Sequence, residues 1–204
     1  MYMNENRMAF TTKWAAGGLL IGLSVALVGG CRARTEQNVG HKEQAMSYEI
    51  PQSITTEHKE LHLQLEDAIK AGGRTGEAAK VVADRLHTHF EKEEEYALPP
   101  LGLLPHIAEG RVSEEMKQTI KISDKLKQEM PQMLNEHRSI VAALDDLSKA
   151  AQSENNTAAL EFTHKLKMHA QNEEEVLYPA AILVGEYLKL RFSGELTQRI
   201  ATHE

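Results

Sequence analysis

Apolar residues recur along most of this chain at steps of three and four, the period of a helix with one buried face. From residue 51 onward the stripe Ile54, His58, Leu61, His62, Leu65 and Ile69 predicts a first helix. It should start after Pro51, with Ser53 as its N-cap, and stop at Gly72-Gly73. A second helix, from near Thr75 to Pro99-Pro100, sets Val82, Leu86, His89 and Glu93 on one face. Residues 101–112 read as a connection punctuated by Gly102, Pro105 and Gly110. Ser113 can then cap a segment rising through Met116, Ile120 and Leu126, which Pro131 should kink or restart because it lacks a backbone donor. A third helix proper carries Met133, His137, Val141 and Leu144, and a fourth, after Asn155-Asn156, carries Phe162, Leu166, His169, Glu173 and Val176. Residues 180–192 look like a short apolar helix packed on one end, and no segment alternates as a strand. The pattern predicts an all-α fold, an antiparallel four-helix bundle with a short extra C-terminal helix.

The helices come as two copies of one hairpin. His89-Phe-Glu-Lys-Glu93-Glu-Glu, running to Pro99, returns as His169-Ala-Gln-Asn-Glu173-Glu-Glu, running to Pro179, 80 positions later. Upstream, Glu57-His58 returns as Glu136-His137, and each is preceded by a Pro-Gln, at Pro51-Gln52 and Pro131-Gln132. One His-xxx-Glu pair is weak evidence in a chain with 10 His and 30 acidic residues, but a doubled set is specific. Each hairpin supplies a His from its first helix and a His plus a Glu from its second, and this repeat sets the fold.

These polar residues lie on the inward stripes. On a helix, positions four apart are about 40° from each other around the axis, so each His points the same way as its Glu. A buried carboxylate without a partner is costly, and a metal ion resolves that conflict, since neutral imidazole and carboxylate are good ligands for divalent transition metals. Two bridging carboxylates would neutralise half the charge of two divalent ions, leaving an oxide or hydroxide bridge to take more. Nitrogen and oxygen ligands alone accept manganese, cobalt or zinc as well as iron.

The rest of the sequence narrows the setting. The composition is 26% charged and 5% aromatic, which suits a helical bundle, and the net charge of −7 leaves no basic footprint for nucleic acid. Residues 1–30 have the layout of a signal peptide, with Arg7 and Lys13 ahead of an uncharged run from Trp14 to Gly30. Leu27-Val28-Gly29-Gly30-Cys31 resembles a bacterial lipoprotein lipobox, although Gly29 is a less usual residue there. The resemblance implies lipidation of Cys31, the only cysteine, and membrane anchoring in the cell envelope, at the outer membrane if the host is Gram-negative. An uncleaved anchor or plain secretion is the alternative. Residues 31–50 then form the lipidated Cys and a polar tether, 51–192 the bundle and 193–204 a tail.

The residues His58, His89-xxx-Glu93, His137 and His169-xxx-Glu173, with their Glu-Glu-x-x-x-Pro helix ends, resemble the hemerythrin-like family, the HHE cation-binding domain. That resemblance covers roughly residues 51–190. It implies a four-helix bundle around two iron ions, a non-haem di-iron centre bridged by Glu93 and Glu173. His58 and His89 would ligate one iron, and His137 and His169 the other. His62, one turn after His58, would add a third imidazole to the first iron, as family members commonly carry two histidines one turn apart.

Other candidates fall away. His58-Lys-Glu-Leu-His62 lacks the Glu directly after the first His that a zinc protease needs. His164 and His87 face away from their neighbouring site histidines, while Glu94, Glu95, Glu174 and Glu175 read as solvated faces. Tyr96 and Tyr178 fit packing and hydrogen-bonding roles near the helix ends. The expected function is capture, sensing or handling of dioxygen, nitric oxide or iron. The alternative is a di-iron redox enzyme acting on oxygen, peroxide or nitric oxide, for which no acid or base separate from the ligands is visible.

Overall fold

In a computed structural model, which describes residues 49–194, the chain is helical throughout, with no strand among the described residues. The long helices are α1 (Gln52–Lys70), α2 (Gly73–Lys92), α4 (Lys117–Ser153) and α5 (Thr157–Asn172). A short α3 (Leu104–Ala108) lies in the connection, and α6 (Tyr178–Phe192) follows the fourth long helix. Contacts run α1 to α2, α2 to α4, α4 to α5 and α5 back to α1, closing a ring of four, with α6 packed against α4. This is the predicted four-helix bundle. Cys31, His41 and His203, and with them the leader and most of the tether, lie outside the described residues.

The inward stripes step by three and four, so residues from the four helices meet in layers. On α1 the buried order is Ile54, His58, Leu61, Leu65 and Ala68, and on α4 it is Met133, His137, Ile140, Leu144 and Leu147. One apolar core, including Leu61, Leu86, Ile140, Leu144, Phe162 and Leu166, fills one end of the bundle. A second, including Ile54, Leu98, Leu126, Met133 and Tyr178, fills the other. The histidines and glutamates form the layer between them.

Three boundaries differ from expectation. Pro131 does not restart a helix, because α4 runs through it from Lys117 to Ser153. Pro131 is exposed, and so is Lys127, whose carbonyl loses its usual donor, so water can serve that oxygen. The buried Leu126 and Met133 on either side belong to one core and hold the two halves in line. Ser53 lies inside the first turn of α1 rather than capping it, and Pro51 precedes the helix. The start of α2 is capped from a distance. Glu154, just after α4, accepts from the Arg74 and Thr75 backbone amides at 2.8 and 3.0 Å and from the Thr75 hydroxyl at 2.6 Å. α5 follows Asn155-Asn156 as expected, and Asn156 caps it, accepting from Ala159 N at 3.0 Å.

A further difference, in the helices themselves, reorganises the site. Just where α2 and α5 reach their glutamates, the helix widens over Glu93–Ala97 and again over Glu173–Leu177. The Leu98 and Tyr178 amides bond to the carbonyls of Glu93 and Glu173, five residues back. An ordinary helix sets a residue five positions on about 140° away, whereas a turn closed by an i→i+5 bond brings it back above the first. Val176, expected inward, is therefore 53% exposed, and Tyr178 turns in with no exposure at all.

Helix α6 lies close against α4. A Cβ built on Gly185 would come 2.3 Å from Ser123 Cβ, and the Ser123 hydroxyl donates to the Ala181 carbonyl at 2.9 Å. Gly185→Ala should therefore force α6 off α4 and lower stability by about 1–3 kcal/mol, the usual cost of overpacking, read in thermal or urea unfolding. Gly110→Ala, at a position with nothing within 4 Å of its would-be Cβ but a φ of +73°, separates crowding from backbone strain as a control.

Candidate metal centre

Six side chains of the two repeats converge. His58 is 7% exposed, and His89, Glu93, His137, His169 and Glu173 are 2% exposed or less. Their ligand atoms form two groups, His58, His169, Glu93 and Glu173 in one, and His89, His137, Glu93 and Glu173 in the other. Within each group all ligand atoms lie within 4.8 Å of one another.

The two glutamates face both groups. Glu93 turns Oε1 to His89 Nε2 at 3.0 Å and Oε2 to His58 Nε2 at 3.7 Å. Glu173 turns Oε1 to His169 Nε2 at 3.1 Å and His58 Nε2 at 3.6 Å, and Oε2 to His137 Nε2 at 3.4 Å. Each carboxylate thus offers one oxygen to each histidine pair. Glu93 Oε2, Glu173 Oε1, His89 Nε2 and, on the far side of its ring, His169 Nδ1 are buried without a well-aligned hydrogen bond. Buried polar atoms normally find a partner, so this donor set fits metal ions in the two groups.

The pairing of histidines differs from the one the family resemblance implied. His58 stands with His169, Nε2 to Nε2 at 3.1 Å, and His89 with His137, ring centres 4.5 Å apart. Phe90 flanks the first pair, its ring stacked on His58 with centres 4.6 Å apart and planes 16° from parallel. Each pair therefore joins one histidine from each repeat. Nor does His62 reach either group. It is exposed, its ring centre 6.4 Å from that of Phe90, because Leu61 and Leu65 take the inward positions of that turn.

A second set of carboxylates orients the rings, and the sequence reading missed it. Glu136 Oε2 lies 3.0 Å from His89 Nδ1 and Glu174 Oε1 2.9 Å from His137 Nδ1, both in hydrogen-bond alignment, whereas Glu57 Oε1 approaches His169 Nδ1 to 3.3 Å without that alignment. Glu174 is thus not merely part of a solvated face. A carboxylate on the far nitrogen fixes the tautomer that leaves Nε2 free for a metal and raises its basicity. The signal was present in the sequence, since Glu57 and Glu136 each directly precede a site histidine and are repeat counterparts. Glu136 also pairs with Lys92, and although partial burial opposes it, the Lys92, Gln132 and His89 hydrogen bonds hold its carboxyl down at about 2. Tyr178, whose repeat counterpart is Leu98, donates to Glu93 Oε1 at 2.5 Å and stands 3.3 Å from His137 Nε2. Burial, reinforced by the Glu93 and Glu173 charges, pushes its phenol far above the usual range, so it stays protonated.

The side chains of the layer also shift one another's protonation. Burial alone would lower His137 and His169, but the carboxylate of Glu173 beside both, and for His137 also that of Glu93, raises them to about 10 and about 9. Burial would raise Glu173, yet the His137, His169 and His58 imidazoles close around it hold it well below the usual carboxylate range. A histidine raised in the folded state contributes stability that is complete below its unfolded value near 6.5 and is lost as pH rises through 9–10. Glu173, depressed, contributes stability present above about 4.5 and lost as pH falls below it. The metal-free protein should therefore melt at lower temperature at pH 10 than at pH 7, whereas a metal-loaded sample, in which ions replace these protons, should lose far less. Differential scanning calorimetry of both forms across this range checks it.

A comparison with curated proteins found no match, and neither did a comparison with solved structures. Residues 49–181, well over half of the chain, match the family model of the Hemerythrin HHE cation binding domain, and the chain belongs to that family.

Proposed function

We propose that this protein holds two iron ions in the layer and uses them to bind a small diatomic ligand, dioxygen or nitric oxide. The observation that carries the reading is the double-facing of Glu93 and Glu173, one oxygen to each histidine pair, which suits two ions sharing both carboxylates. His58 and His169 would hold one ion, and His89 and His137 the other. Iron enters through family membership, because the donor set by itself accepts other divalent metals. When bound, the ions supply an open coordination position and electrons for the ligand.

The chain supplies the surroundings. A cavity with room for about one water-sized molecule, about 10 Å³, lies between the layer and the apolar core. It is bordered by His89, His137, His169 and Glu173 on one side and by Leu86, Phe90, Ile140, Leu166 and Ala170 on the other. The lining carries no acid or base beyond the ligand set, and the Tyr178 hydroxyl, behind Glu93 and His137, is not part of it. That composition supports binding over turnover, since catalysis on oxygen or peroxide needs proton delivery at the guest. Anchoring in the cell envelope through Cys31 is part of the same proposal and rests on the leader alone. No described helix is long and apolar enough to cross a membrane.

The test is metal content with the optical spectrum after anaerobic loading with ferrous iron and exposure to air. Two irons per chain and a visible band that bleaches on removing oxygen are expected, both lost in His89→Ala and His169→Ala. Irreversible oxidation without the band would favour the redox enzyme, and absence of bound iron would reject the metal assignment.

A further inference from the structure

The two halves of the layer are built from repeats, yet their carboxylate oxygens are not in the same condition. At the His58–His169 position the facing oxygens are Glu93 Oε2 and Glu173 Oε1, and neither has a well-aligned hydrogen bond. At the His89–His137 position the facing oxygens are Glu93 Oε1 and Glu173 Oε2. There Glu93 Oε1 already accepts the Tyr178 hydroxyl at 2.5 Å, the closest contact the phenol makes. Leu98, the counterpart of Tyr178 in the first repeat, is equally buried but has nothing to donate. The asymmetry therefore comes from one substitution between equivalent positions, both turned inward by the same kind of wide turn.

A carboxylate oxygen that accepts a short charge-assisted hydrogen bond has part of its electron density engaged. A metal at that oxygen must share it with the proton, and a metal at the unengaged oxygens need not. We propose that Tyr178 makes the two metal positions unequal, so that the His58–His169 position fills first and the His89–His137 position takes its ion more weakly and gives it up more readily. Tyr178 is a positioning residue here, acting on the metal through Glu93. The inference rests on the dinuclear reading above, and its test separates the two.

Apoprotein of the full chain is titrated with cobalt(II) by calorimetry, with bound metal counted independently. The unaltered chain should take two ions in two resolved steps, at least about tenfold apart, the range over which partners of metal ligands act. In Tyr178→Phe the weaker step should tighten by about tenfold while the tighter one stays, so that the steps close up. His58→Ala should weaken the first ion, and His137→Ala the second. Two ions bound with unchanged spacing in Tyr178→Phe would overturn the proposal, as would a weaker step loosened further, since the phenol would then be holding Glu93 in place for the metal. A visible tyrosinate-to-iron band in the ferric protein, lost in Tyr178→Phe, would also overturn it, because the oxygen would be a ligand rather than a donor. If Tyr178→Phe does not fold, the histidine pair still decides, and a first ion weakened by His137→Ala instead of His58→Ala rejects the order. Fewer than two ions on the unaltered chain would reject the dinuclear reading, and the inference with it.

Discussion

Everything in this bundle answers to one constraint, the burial of two carboxylates and four imidazoles in a single layer of an otherwise apolar seam. Isolated, such charges would be expelled or neutralised at a cost of several kcal/mol each. Here they are compensated in turn by each other, by an outer ring of carboxylates on the far imidazole nitrogens, and by the apolar cores that press on the layer from both ends. The seam can carry the layer because histidine and glutamate simply occupy positions in the same three-and-four stepping that places leucines above and below. The fold and the site are therefore one pattern read at two chemistries.

This is why so much was legible in the sequence. The stepping gave the helices, and the doubled His-xxx-Glu, with the doubled Glu-His upstream, named six residues that do come together, because all depend only on local helical geometry. What escaped depends on departures from that geometry or on neighbours in space. Tyr178 and Val176 exchanged roles because the helix widens at Glu173, and nothing in a regular period announces such a turn. His62 satisfied the period but lost its place to the leucines beside it. Pairing of the histidines depends on which helices face each other across the bundle, which no spacing rule along one helix contains. Pro131 looked like a boundary, and its exposure made it harmless.

The wide turns tie local structure to chemistry. Each starts at a glutamate of the layer and ends by setting a residue of the next segment over the site, so the same backbone device appears twice with different outcomes. On one side it delivers Leu98 to the apolar core, and on the other it delivers a hydroxyl to Glu93. Helix α6 is held near α4 by the contact of Gly185 with Ser123, which fixes the end of the chain segment that carries that hydroxyl.

Pairing across the repeats has a consequence for the hairpin as a unit. A single hairpin contributes one imidazole to each of two sites and completes neither, so on its own it has no centre to fold around. Two identical hairpins related by a two-fold axis could assemble both sites, but they would be bound to put the same residue at every equivalent place. Joining them in one chain lifts that obligation. The fused molecule can keep the shared ligands and still seat tyrosine on one side and leucine on the other, a difference between halves that a symmetric pair of separate chains could never encode.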